Sequence, residues 1–469
     1  MASRSESQQP SAPWFSLAIG SLLVAGGFAL LLVIGRVPPF SGWLGDSAAF
    51  FKRCLVVHVD LSIVVWFHAF TAGLFALLPG GKKGSHLRTL GVALALVGVA
   101  ALFACIFVEG AEPILSNYVP SLDHPLFMFG IGAFFVGVAL TFLDGRLWPS
   151  AWAESAEESP VPPEARPGLR AAAVAFLFAV LTFAASALTT PEGLLPATRN
   201  EFLFWGGGHV LQVCSVATMV SVWLMLLTPA LAPFTPSGVE GPVSRRFTVP
   251  LFALLVLPTA AGPALALAGT TRVFVHDGFT MMMRFGIFPV VTTFAVLCLR
   301  AVLRSKVSRK DPGVLAFFAS VGLTTVGFVI GAFINGSNTI VPAHYHASIG
   351  AVTVSFMAIT YPVLLSKRAH PFPRLAAWSR WQPVLFGVGQ MVFAVGFALA
   401  GSQGMARKAY AAEQHIRTTT ELIGLGVMGL GGLVAVAGGL LFLALVLTSF
   451  LRGPRKVSQW QPSLTPSKP

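Results

Sequence analysis

Apolar stretches long enough to cross a membrane recur twelve times along this chain, and that recurrence restricts the fold more than any motif does. In hydrocarbon every backbone N–H and C=O must find its partner within the protein, so each span of about 20 apolar residues reads as a helix. The predicted spans are 14–35, 55–79, 88–109, 124–143, 170–189, 202–228, 248–272, 279–300, 313–334, 340–365, 382–400 and 424–450. The expectation is an all-α integral membrane protein, a twelve-transmembrane-helix bundle forming one polytopic domain over 1–469. Its segments 1–13, 144–170 and 451–469 are read as an N-terminal tail, a linker rich in Pro, Glu and Ala, and a C-terminal tail. The first segment lacks the short apolar core and small-residue cleavage site of a signal peptide and is read as a retained span.

Only 10% of the residues are charged, yet the net charge is +13, a balance that in a soluble chain would point to nucleic acid. Placement decides against that. With the N-terminus inside, the inner segments hold 22 Lys and Arg residues against 8 in the outer loops. The asymmetry predicts that both termini are cytoplasmic and accounts for the charge without nucleic acid. Cys54, Cys105, Cys214 and Cys298 form neither CxxC nor CxxCH, so no covalently attached haem or Cys-bound metal is expected.

Ionisable side chains inside a span are costly and mark function. The stretch Asn338–Tyr361, NTIVPAHYHASIGAVTVSFMAITY, carries His344 and His346 near its start. Each helical residue advances about 100°, so these two imidazoles leave on opposite sides and cannot share a metal. Two separate partners must flank the helix. His58, His209, His344 and His346 fall in the first two turns of spans 2, 6 and 10, and His276 is expected to close span 7. All five then lie within roughly 10 Å of the outer boundary. His68 is deeper, His86, His370 and His415 are in loops, and His124, next to Pro125, reads as solvated or capping. Three glycines, Gly206 to Gly208, precede His209 and admit close approach of either a neighbouring helix or a cofactor.

Twelve spans, a histidine early in helix 2, Gly208-His209 in helix 6, a histidine at the end of helix 7 and Ala343-His344-Tyr345-His346 in helix 10 resemble the catalytic subunit (subunit I) of the haem-copper oxidase superfamily. The likeness covers nearly the whole chain. It implies two haems, b-type in preference to a-type: a five-coordinate high-spin haem on His344 and a low-spin haem between His58 and His346. Bis-histidine ligation closes both axial positions and suits electron transfer, whereas a single proximal histidine leaves a site for a gas. The resemblance also implies a second metal on His209 and the helix 7 pair, which here reads His276-Asp277. Two imidazoles and a carboxylate suit non-haem iron better than copper, although Asp277 can instead pair with Arg272 or Arg284. Arg53, Arg272, Arg284 and Arg407 are candidates to anchor haem propionates, Arg284 foremost because it lies within a span.

Oxygen-reducing members of the superfamily carry a redox-active tyrosine beside the metal, on helix 6 or helix 7. The tyrosines here are Tyr118, Tyr345, Tyr361 and Tyr410, and Val213 stands four residues after His209. The resemblance is therefore to the nitric oxide reductase branch, an oxidoreductase of denitrification that reduces two NO to N2O at a high-spin haem and a non-haem iron. The expected setting is the bacterial inner membrane, with the active site toward the periplasm, in a hetero-oligomer. Its electron donor would be a separate subunit or carrier: a cytochrome c, a CuA-type subunit or a quinol. The inner halves of the helices show only scattered hydroxyls such as Thr292, Thr293, Thr324 and Thr325, which leaves Glu109, Glu112, Asp123 and Glu201 as candidates to deliver protons from outside, each otherwise an ordinary interfacial carboxylate. One rival is an O2-reducing terminal oxidase with its tyrosine elsewhere, for instance Tyr345. Another, of a different class, is a non-catalytic haem carrier or transporter.

Overall fold

The structure is a computed structural model that describes residues 11–34, 48–80, 85–147, 159–234, 241–365, 372–407, 416 and 418–450. His370, Tyr410, His415, most of both tails and residues 148–158 of the linker lie outside the described residues.

Twelve helices are long and apolar enough to cross a membrane: α1 (Ala12–Leu32), α2 (Ala49–Phe75), α3 (His86–Cys105), α4 (Pro125–Phe142), α5 (Arg166–Thr189), α6 (Pro196–Phe234), α7 (Arg245–Leu267), α8 (Val273–Arg304), α9 (Pro312–Ala332), α10 (Ile340–Leu365), α11 (Gln382–Ser402) and α12 (Thr419–Ser449). Each overlaps one span read from the sequence. The long linker is shorter than expected, because α5 already starts at Arg166. At 39 residues α6 runs about 58 Å, well beyond a hydrocarbon core of about 30 Å. A helix of that length tilts or extends past the apolar layer, and its first turns hold the loop that carries Asn117.

One boundary corrects the sequence analysis. His276 does not close helix 7: α7 stops at Leu267, and Gly269, at φ +117, breaks the helix in a conformation that glycine adopts at little cost. Arg272 then takes extended backbone as the N-cap of α8, so His276 and Asp277 stand in the first turn of that helix.

By contacts the chain divides into two compact units, Met1–Leu224 with Val243–Leu297, and Met225–Pro242 with Cys298–Pro469. In the first, α3 and α4 touch backbone to backbone where Gly91 faces Gly137 and Gly98 faces Gly130. Between these helices a short hairpin forms, β1 (Glu112–Ile114) antiparallel to β2 (Ser121–Asp123). In the second, Gly389 and Gly396 of α11 meet α12 along the heptad-spaced Gly424, Gly431 and Gly438. Small residues at that spacing let two helices approach over several turns. Three helices contain π-turns, at Asp60–Val65 in α2, Met283–Ile287 in α8 and Tyr361–Leu365 in α10. Such turns insert an extra residue and re-aim side chains, and they recur at functional sites.

Candidate functional site

In the second unit, α10 sends its two histidines in opposite directions, as the rotation per residue requires. His344 faces α9, where its Nδ1 lies 2.7 Å from the Gly327 carbonyl. Its ring fits there because position 331 is glycine; a Cβ at Gly331 would stand 2.7 Å from Nδ1. His346 faces α11, with its ring 4.8 Å from Phe393 and 6.0 Å from Phe397. Tyr345 between them is exposed.

A carbonyl only accepts, so the His344 Nδ1 must carry the proton, and Nε2 keeps its lone pair. The same logic holds for His58 in the first unit, whose Nδ1–H donates to the Ala25 carbonyl at 2.8 Å. Anchoring one ring nitrogen to a carbonyl fixes tautomer and orientation and frees the other nitrogen to ligate a metal. His346 makes no hydrogen bond to a described residue and presents a ring held only by aromatic faces. All three fit axial haem ligation by the chemistry of their donor atoms. Two residues beyond His58, Asp60 is fully buried, and neither of its oxygens has a hydrogen-bond partner among the described residues. The signal in the sequence that points to Asp60 is a carboxylate within an apolar span, two residues past a histidine.

The cluster around His209 is built differently. His209 is buried and donates from Nδ1 to the Trp205 carbonyl at 2.7 Å, while Nε2 accepts from the Tyr118 hydroxyl at 2.8 Å. Both ring nitrogens are occupied. Tyr118 comes from the turn between β1 and β2 with its backbone at φ 63, the left-handed region that a tyrosine rarely adopts. The start of α6 holds that turn in place. Glu201 accepts from the Asn117 side-chain amide at 2.6 Å, and Asn200 bonds Ser116 at 2.6 Å and Ser121 at 2.7 Å. Burial pushes the Tyr118 phenol up, and the charge on Glu201 pushes it further, so the hydroxyl keeps its proton.

The three glycines before His209 resolve in favour of packing. A Cβ at Gly206 would meet Phe279, one at Gly207 Phe183, and one at Gly208 the ring and Cβ of Tyr118. Side chains of this chain fill the space left open for a cofactor. Trp205 lies 4.7 Å from the His209 ring and 4.9 Å from that of His276, and so links the two. His276 Nε2–H donates to the Thr270 carbonyl at 2.8 Å. Asp277, one position on, is exposed and leaves on another side of α8.

His209, His276 and Asp277 are thus not gathered as a three-ligand cage. Among the described residues no three His, Cys, Asp or Glu side chains stand where they could hold a metal ion. With the His209 Nε2 lone pair taken by Tyr118, these residues as arranged do not fit a third metal.

Of the arginines, Arg53 donates from Nε to the Ile106 carbonyl at 2.7 Å and Arg407 from Nε to Ser337 at 2.9 Å. Arg272 is exposed and lies over Phe274, and Arg284 is exposed within the π-turn of α8. His124 caps α4, accepting from the Leu126 amide at 3.1 Å, and His68 is buried with Nδ1 bonded to the Val64 carbonyl. Thr293, Thr324 and Thr325 each return their hydroxyl to a carbonyl one turn back. Exposed Glu112 and Asp123 pair across the hairpin.

No family model matches the chain. An uncharacterized protein of Aquifex aeolicus is 29% identical over 361 residues, which cover 75% of this chain and 83% of that protein. An uncharacterized protein of Rickettsia prowazekii is 23% identical, with 92% of this chain and 94% of the relative covered. Among solved structures, a chain of a heme-copper terminal oxidase dimer superimposes with a TM-score of 0.70 over 97% of this chain and 86% of its own, at 16% identity. The twelve-helix chain therefore has the fold of a haem-copper terminal oxidase.

Proposed function

We propose that the chain is the catalytic subunit of a haem-bearing membrane oxidoreductase that reduces a diatomic gas, with O2 as the gas the geometry favours. The observation that supports the haem assignment is the anchoring of His58 and His344, each with Nδ1–H bound to a carbonyl and Nε2 without a partner among the described residues; His68 shares that arrangement but stands ten residues further along α2. In this proposal His58 and His346 hold a low-spin haem and His344 a high-spin haem. When bound, the two haems supply one-electron transfer and an open iron position for the gas. The protein orients the ligating rings through the Ala25 and Gly327 carbonyls. Arg53, Arg284 and Arg407 are the cations proposed to meet the propionates.

The Tyr118 hydroxyl is what favours O2. Splitting O2 calls for an extra proton and electron, and in this proposal the Tyr118 O–H, hydrogen-bonded to His209, is their source. The lack of a tyrosine in helices 6 to 8 is the ground for the NO reading, yet Tyr118 reaches His209 from a loop. Reduction of NO remains the second reading, favoured by Asp277 standing next to His276; it requires that pair and His209 to rearrange around an iron. Electrons would come from a cytochrome c, a CuA-type subunit or a quinol, as partners in the bacterial inner membrane.

Purified protein tests the proposal. The expected outcome is two haems per chain, one with a bis-histidine low-spin spectrum lost in His58→Ala, and O2 consumption with a reduced donor. N2O formation under anaerobic NO without O2 consumption would move the assignment to NO reduction. Haem-free protein would sink both.

A further inference from the structure

Within the first unit, α5 and α7 do not close on each other along their whole length. A cavity of about 490 Å3 opens between them, within the roughly 300–1,000 Å3 of ligand pockets. Along α5 its lining runs from Pro167 through Arg170, Val174 and Leu177 to Leu181. At 1.5 Å per residue that is about 21 Å, more than half the depth of a hydrocarbon core. Arg170 is the one charged residue among those that line it, and the rest are Ala, Val, Leu, Phe and Pro.

Charge collects at the Arg170 end alone. Arg170 is 5% exposed, and its Nε donates to the Arg146 carbonyl at 2.9 Å. The charges of Arg166 and Arg245 bear on Arg170, and Arg166 donates from Nε to the Val161 carbonyl at 3.0 Å. Arg146 pairs with Asp144, which Arg88 approaches at 3.7 Å. The start of α5 and the start of α7, which flank this end, carry Arg166, Arg170, Arg245 and Arg246, with Glu164 just ahead of α5. A groove running along a membrane-spanning face, apolar for its length and cationic at one end, matches one kind of molecule in shape and charge.

We infer that this groove binds an anionic phospholipid, with an acyl chain along α5 and α7 and the phosphate at Arg170, Arg166 and Arg245. Guanidinium forks suit phosphate oxygens, and basic pockets between membrane helices select acidic head groups. A quinone would fill the apolar part equally well but brings no anion to the arginines. The inference is independent of the haem assignment.

Native mass spectrometry of the full chain tests it, with detergent-solubilised protein exchanged against vesicles of phosphatidylglycerol or phosphatidylcholine. The wild type is expected to retain one phosphatidylglycerol and to prefer it over phosphatidylcholine at least tenfold. Val174→Trp, which fills the groove, should lower retention of both lipids about tenfold. Arg245→Gln should leave the groove open but bring the preference close to one. Thermal stabilisation by added phosphatidylglycerol should follow the same order, which separates groove filling from misfolding. Equal retention of both lipids by the wild type, undiminished retention by Val174→Trp, or co-purification of a phosphate-free molecule in the groove would each overturn the inference.

Discussion

His58 and His344 differ from His209 in what the second ring nitrogen does. All three donate from Nδ1 to a backbone carbonyl, at 2.8, 2.7 and 2.7 Å respectively. For His58 and His344 that bond leaves Nε2 uncommitted, as a ligating imidazole requires. At His209 the same nitrogen is closed by the Tyr118 phenol. Two histidines thus keep one ring nitrogen without a partner among the described residues, and one has both nitrogens bonded within the chain. The rings of His58 and His344 are half-buried, so their open nitrogens face accessible space, whereas the open Nε2 of His68 is buried without a partner among the described residues.

The sharpest test removes the open nitrogens. His344→Ala should cost the high-spin haem and all turnover, and His58→Ala the low-spin haem and electron entry, each read from the reduced spectrum and activity. His209→Ala should leave both haem spectra in place. If instead it strips a haem, the contrast between open and closed histidines has no functional meaning.

Tyr118→Phe comes next. It reopens the His209 Nε2 and deletes the phenol proton while keeping the ring against Trp205 and Gly208. O2 reduction is expected to fall by about 10²–10⁴, the range for loss of a positioned proton donor, with haem content unchanged. An unaltered rate of O2 reduction in the same variant would identify Tyr118 as a structural partner only.

What the sequence disclosed and what it hid divide along the same line. The twelve spans follow from hydropathy. The divergence of His344 and His346 follows from a rotation of about 100° per residue, and the structure puts them against α9 and α11. Both are local properties of one helix. Tyr118 was invisible because its place depends on a hairpin, a left-handed backbone at one non-glycine residue, and a clamp from Asn200 and Glu201 about 80 positions away. The signal that could have found it was the glycine run. Three small residues before a buried histidine imply three large neighbours, and the chain has few tyrosines to offer. The misplaced end of helix 7 was a turn-chemistry error: Gly269 ends the helix, and the following polar residues were read through as span.

Gly208→Ala tests that reading of the glycines. Its Cβ would collide with Tyr118 at Cβ and the ring base, so the turn or α6 must shift. A loss of about 1–3 kcal/mol is expected, the usual cost of overpacking, measured as a lower midpoint of thermal unfolding. In a Tyr118→Ala background the same substitution should be nearly neutral. A full penalty in both backgrounds would mean that Gly208 serves the helix and not the tyrosine.

The smallest expected effect belongs to Asp277→Asn. If His209 is closed by Tyr118, Asp277 is a surface residue at the head of α8, exposed and turned away from the Trp205-linked histidines. Surface substitutions of this kind stay within about 0.5 kcal/mol, or about twofold in a rate. The charge is removed at almost constant shape, so a larger change reports the carboxylate itself. Abolished turnover with both haems retained would mean that His209, His276 and Asp277 gather around a metal during the reaction. His209 would then have to release Tyr118, the difference between open and closed histidines would belong to the resting protein alone, and NO would regain first place as substrate.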